Sequence, residues 1–101
     1  MTDKTNNNAD PLWLKVAVEI KKAANGSTAT EMKTHGGGQY VLKTEKAVIR
    51  MIRAENGIEI RSADFTDGDF WQMTGDEHAR IITEITDGEK AELQKSFGIR
   101  L

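Results

Sequence analysis

Thr44-Glu45-Lys46-Ala47-Val48-Ile49-Arg50-Met51-Ile52-Arg53-Ala54-Glu55-Asn56-Gly57-Ile58-Glu59-Ile60-Arg61-Ser62 is the stretch whose reading decides the fold. Read as β, Lys46 to Ala54 and Ile58 to Ser62 are strands rich in β-branched residues, joined by Glu55-Asn56-Gly57 with glycine in the left-handed position. Such a loop pairs Ala54 with Ile58 and Ile52 with Ile60 on one face, and Arg53 with Glu59 on the other. Read as α, Thr44 caps a helix from Glu45 to Asn56, Gly57 terminates it, and Lys46, Arg50 and Arg53 form one polar ridge. The strand reading is preferred because one register explains all these identities together. Arg50 is its awkward member, since it shares a face with Val48 and Ile52. An edge position or a carboxylate partner would relieve it.

Upstream, Glu31 to Thr34 and Gln39 to Lys43 read as two more strands, with His35-Gly36-Gly37-Gly38 as the bend between them. Before those, Asp10-Pro11 has the form of a helix start, an acid to accept from orphan amides followed by a proline at the first helical position. The helix runs to Asn25 and Gly26. Trp13, Val16, Ala17, Ile20 and Ala24 repeat at helical spacing and face the core, while Lys15, Glu19 and Lys22 face water. Residues 1–9 have almost nothing to bury and are expected to form a disordered N-terminal tail.

Downstream, Asp64 to Asp69 leads into a short strand or loop, Phe70 to Met73. Two helices with matching starts follow. In Thr74-Gly75-Asp76-Glu77 and Thr86-Asp87-Gly88-Glu89 a threonine and a glutamate three residues on can reciprocally satisfy first-turn donors. Ala79, Ile81, Ile82 and Ile85 supply the buried side of the first helix, and Leu93 with Phe97 that of the second. Gly98 is the left-handed terminator that folds Ile99 back.

The pattern predicts an α+β fold: an N-terminal helix, an antiparallel β-meander of three to five strands, and a C-terminal pair of short helices packed on one sheet face. Residues 10–101 make one domain, since 101 residues support a single modest core. The chain has no cysteine, which excludes disulfides, thiolate chemistry and sulfur-rich zinc sites. No apolar run approaches the ~20 residues that cross a bilayer, and no signal peptide precedes the domain, so a cytoplasmic protein without membrane contact is expected.

Net charge is −2, but it is unevenly distributed: residues 11–63 sum to +4 and residues 64–92 to −7. Charge blocks of this kind govern association more than fold. Capping accounts for Asp76, Glu77, Asp87 and Glu89; of the others in the block, Asp64, Asp67 and Asp69 cluster around Phe65, Phe70 and Trp71. Acids that steer a basic partner, beside rings that supply desolvated area, describe an interface hot spot. Asp64, Asp67, Asp69, Phe70 and Trp71 are therefore the candidate partner-binding residues. Phe65 and Phe70 can alternatively fill the core between sheet and C-terminal helices.

The function this favours is a small non-enzymatic protein-binding module that docks on a basic protein surface. One form is a phage or mobile-element accessory protein inhibiting a nucleic-acid-binding or defence complex, CRISPR or restriction systems included. The alternative is nucleic-acid binding through a basic sheet face carrying Lys43, Lys46, Arg50, Arg53 and Arg61. Tyr40 is the only aromatic among them, so base stacking has little to work with. A third reading is a small enzyme or ligand-binding domain using His35, whose His-Gly-Gly-Gly is superficially like an esterase oxyanion turn but lacks a Gly-x-Ser-x-Gly elbow. No phosphate loop or dinucleotide fingerprint is present, and the spacing of Asp64, Asp67, Asp69 and His78 fits no cation loop. His78, in a helix's first turn, is expected to be exposed. No cofactor or metal is expected, and an exposed strand near the glycine run could pair with its counterpart in a homodimer.

Overall fold

In the structure, a computed structural model that describes residues 11–28 and 30–101, one helix precedes a five-stranded antiparallel meander and two helices follow it. The elements are α1 (Leu12–Ala24), β1 (Glu31–His35), β2 (Gln39–Lys43), β3 (Ala47–Ala54), β4 (Gly57–Phe65), β5 (Phe70–Gln72), α2 (Gly75–Glu84) and α3 (Asp87–Phe97). The sheet order is β1-β2-β3-β4-β5, every neighbour joined by a short reversal. No helix among the described residues is long and apolar enough to cross a membrane.

The 44–62 stretch is a hairpin, and the reason is visible at Thr44. Its hydroxyl accepts from Ala47 N–H at 3.1 Å, the bond a helix cap would make. The chain instead closes a two-residue turn, with Thr44 N–H donating to the Ala47 carbonyl at 2.8 Å. Three residues of local bonding do not distinguish helix from turn, and the β2–β3 ladder decides between them.

The expected β3–β4 register is corrected near the turn. Ala54 pairs with Gly57, Arg53 with Ile58, Ile52 with Glu59 and Met51 with Ile60, so the loop is Glu55-Asn56 alone. Beyond it the pairing shifts by one, to Arg50 with Ser62 and Ile49 with Ala63, leaving Arg61 as a bulge. On the far side of that bulge the anticipated offset returns. The extra residue inverts the alternation of β4: Ile58 and Ile60 before it, and Ala63 and Phe65 after it, are all buried. Gly57 is demanded by packing, since its φ is 138° and a Cβ there would collide with the Arg100 carbonyl oxygen. That same carbonyl accepts from Ile58 N–H at 2.8 Å, extending the edge of the hairpin with the chain after α3.

All three helices lie on one layer over Leu42, Ala47, Ile49, Met51, Ile58, Ile60, Ala63 and Phe65. Val16, Ala17, Ile20, Ala23 and Ala24 of α1, Ile81 and Ile85 beside α2, and Leu93 and Ile99 complete the core. Both C-terminal capping boxes are present, Thr74 with Glu77 and Thr86 with Glu89, and Gly98 is left-handed at φ 74°.

Four smaller expectations change. Helix α1 begins at Leu12 with Pro11 itself at the N-cap, while Asp10 and the 1–9 tail lie outside the described residues. Glu19 is buried at 5% exposure rather than water-facing, its carboxylate accepting from the Thr44 hydroxyl at 2.9 Å with Lys22 at 3.7 Å. Trp13 is only half-buried against the core, with the Arg80 guanidinium 5.9 Å from its ring. Ala79 is exposed, and the inward stripe of α2 reads His78, Ile81, Ile82 and Ile85, which is the i, i+3, i+4, i+7 spacing.

Candidate functional site

The sheet face turned away from the helices is built by cross-strand rungs. One reads Glu31, Lys43, Val48, Asp64, Phe70; the next reads Lys33, Val41, Arg50, Ser62, Gln72; a third reads His35, Gln39, Ile52, Glu59. Val41, Val48 and Ile52 are half-buried. Phe70, a candidate partner-binding residue with a place in the core as its alternative, is 58% exposed at the end of the first rung.

Arg50 is relieved in the way the strand reading required: its Nη1 donates to Asp64 Oδ2 at 2.6 Å, a diagonal cross-strand pair beside Phe70. Glu31 and Lys33 approach to 3.5 Å, and Arg61 donates to Glu59 at 3.2 Å. Val41, Val48, Ile52 and Phe70 are therefore interspersed on this face with charges, of which Glu31–Lys33, Arg50–Asp64 and Glu59–Arg61 are matched.

The loop between β4 and β5 divides the predicted partner-binding set. Asp64 and Phe70 sit directly opposite one another on the open face. Asp67 and Asp69 turn toward α1, where Lys15 Nζ lies 3.2 Å from an oxygen of each and 4.5 Å from the Phe65 ring centre. Desolvation works against the Lys15 charge, but hydrogen bonds and attraction from the two aspartates raise its pKa overall. The Asp69 amide, donating to Asp67 Oδ1 at 3.2 Å, and then Lys15 hold the Asp67 carboxyl below its usual range. Trp71 pairs with Ala63, on the helix-covered side, and packs half-buried against the core.

The basic set is dispersed. Lys43 and Arg50 share the open face, but Arg53 points to the other side, donating to the Tyr40 hydroxyl at 2.6 Å. Arg61 is the bulge residue. Lys46 lines a cleft of about 410 Å³ against α1, together with Lys15, Val18, Glu19, Lys22 and Phe65. Of the five, only the Lys43 and Lys46 side chains make no ion pair or hydrogen bond among the described residues. His35 ends β1 on the exposed face with no nucleophile or carboxylate bonded to it among the described residues. No group of three or more metal-ligating side chains occurs among the described residues.

His78 is a further residue that the sequence reading misplaced. Rather than being exposed, it is half-buried and its Nδ1 accepts from Ile60 N–H at 3.1 Å. Ile60 adjoins the Arg61 bulge, whose own carbonyl accepts from Met73 N–H at 2.7 Å. His78 thus satisfies an outward ladder donor of β4 beyond the end of β5, next to the bulge where β4 changes sides. Desolvation lowers its pKa, partly opposed by the Glu59 charge, which keeps the ring in its neutral, accepting form. The available signal was the i, i+3, i+4, i+7 stripe that begins at His78.

Comparisons with protein-family models, with curated proteins and with solved structures return no match to this chain.

Proposed function

We propose that the chain is a non-enzymatic protein-binding module that docks through the open face of its sheet. The observation that carries this reading is Phe70, an aromatic ring 58% exposed in line with Val48 and flanked by the Arg50–Asp64 pair. A desolvatable ring with a hydrogen-bonded charge pair at its side is the composition of an interface anchor, whereas catalysis requires a nucleophile or acid held beside a tuning partner.

The partner that suits the acidic side of this surface is a basic protein. Asp64 on this face, and Asp67 and Asp69 on the adjoining loop toward α1, are held by Arg50 and Lys15, which are themselves exposed enough to be displaced. An arginine-rich groove would compete for those carboxylates with bidentate geometry. In its most specific form the reading is a mobile-element accessory protein that occupies the nucleic-acid groove of a CRISPR or restriction complex, its carboxylates standing where phosphates would lie.

The test is affinity capture on immobilised chain, comparing the native protein with Phe70→Ala and with Asp64→Lys. A specific protein retained by the native chain and lost from both variants, each folded by circular dichroism, supports the reading. Retention unchanged in both variants refutes it. Titration with DNA and RNA at low salt addresses the alternative, which requires that Lys43→Glu with Arg50→Glu abolish binding.

A further inference from the structure

We infer that β1 is a dimerisation edge, and that two copies of this chain join their sheets antiparallel about a two-fold axis through Met32. This goes beyond the docking reading, because it uses the edge of the sheet and not its open face.

The inference starts from the hydrogen-bond phase of the ladder. Thr44 N–H donates to Ala47 and Arg53 N–H to Gly38, at 2.8 and 2.7 Å. In an antiparallel ladder bonded and non-bonded pairs alternate, so Gly38, Tyr40, Leu42 and Thr44 bond to β3, while Gln39, Val41 and Lys43 bond to β1. Their partners on β1 are His35, Lys33 and Glu31. Met32 and Thr34 consequently turn their backbone N–H and C=O groups away from the sheet, and no described residue bonds to them.

An open edge of this length is ordinarily guarded by a proline, a bulge or charge. Strand β1 has neither proline nor bulge, and its register with β2 runs unbroken over five residues. By contrast the opposite edge, β5, is three residues long. The guard on β1 is Lys33, and its neighbour two positions away on the same face is Glu31. That spacing makes the edge self-complementary in one register only.

With the axis through Met32, Glu31 stands opposite Lys33 of the partner subunit, and Lys33 opposite Glu31 of the partner subunit. Met32 exchanges two backbone bonds with Met32 of the partner subunit, and Thr34 reaches Thr30 of the partner subunit. With the axis through Lys33, two lysines face one another directly and Glu31 meets the partner's His35. Opposite charges directly across an antiparallel pair stabilise it and like charges oppose it, so charge selects the Met32 register. Lys33 then guards against other chains while accepting this one.

The experiment is sedimentation equilibrium of the full chain across a concentration series, with charge variants. The native chain is expected to dimerise. Glu31→Lys and Lys33→Glu alone should each weaken self-association by about tenfold, because two symmetric pairs become repulsive. Mixed together they should form a heterodimer, and the double variant should dimerise like the native chain. Thr34→Pro, which removes an outward N–H that the monomer does not use, should abolish association. Should that variant misfold, the charge variants on the exposed face decide the matter. A native chain that stays monomeric throughout, or a mixture that associates no better than its components, overturns the inference.

Discussion

The two faces of the sheet are made by alternate residues of the same strands, yet they are held by different forces. The covered face carries Leu42, Ile49, Met51 and Ile60, all nearly inaccessible beneath the helices. The open face carries Val41, Val48, Ile52 and Phe70 interspersed with Glu31–Lys33, Arg50–Asp64 and Glu59–Arg61 pairs. Apolar burial is worth roughly 25 cal/mol per Å², whereas an exposed ion pair contributes ~0–1 kcal/mol. Stability therefore belongs to one face, and the other is free to be selected for something else.

The sharpest way to break this asymmetry is a cavity on the covered side. Ile49→Ala should cost about 2–5 kcal/mol by chemical denaturation, because Ile49 is fully buried between α1 and the sheet. A loss under about 1 kcal/mol would mean that the helical layer is not packed as described. Next in size is the hairpin end, where Gly57→Ala combines an unfavourable φ with a clash against the Arg100 carbonyl. A cost of about 1–3 kcal/mol is expected, together with faster exchange of the Ile58 amide.

A smaller effect should come from the bulge that lets β4 change sides. The folded pKa of His78 lies below its unfolded value of about 6.5, so the unfolded chain binds the proton more readily. Stability from this group is whole above that unfolded pKa and declines as pH falls through the lower folded value. His78→Gln, which keeps an acceptor for Ile60 N–H but cannot titrate, should flatten the stability profile in that window. An unchanged slope would remove His78 from this role. The least effect is expected on the open side: Arg50→Ala should change stability by no more than about 1 kcal/mol, and by less in high salt, since both partners are nearly half exposed. A larger loss would make the open face structural and weaken its assignment as a docking surface.

The same asymmetry explains which parts of the molecule were legible in the sequence. The boxes at Thr74 and Thr86 and the terminator at Gly98 are bonded within three or four residues, so their residue types suffice to place them. Strands β1 and β2 were equally readable, and Arg50 correctly demanded a carboxylate. The hairpin turn was misplaced by one residue because Glu55-Asn56-Gly57 suits both a two- and a three-residue loop, and the compensating bulge is held by His78 and Met73 from outside the hairpin. Of the candidate site, the cluster of Asp64 and Phe70 survives as a neighbouring pair, while Asp67 and Asp69 are claimed by Lys15, some fifty residues away.

Order of elements, the caps of α2 and α3, the meander and the single core follow from periodicity and short-range bonding, which the chain carries in its own residue types. Register, the side on which Phe70 and Trp71 emerge, and the partner of each aspartate were decided by the tertiary structure. Those outcomes depend on groups brought together from α1, α2 and the residues after α3, and a strand's two faces exchange with a shift of a single residue.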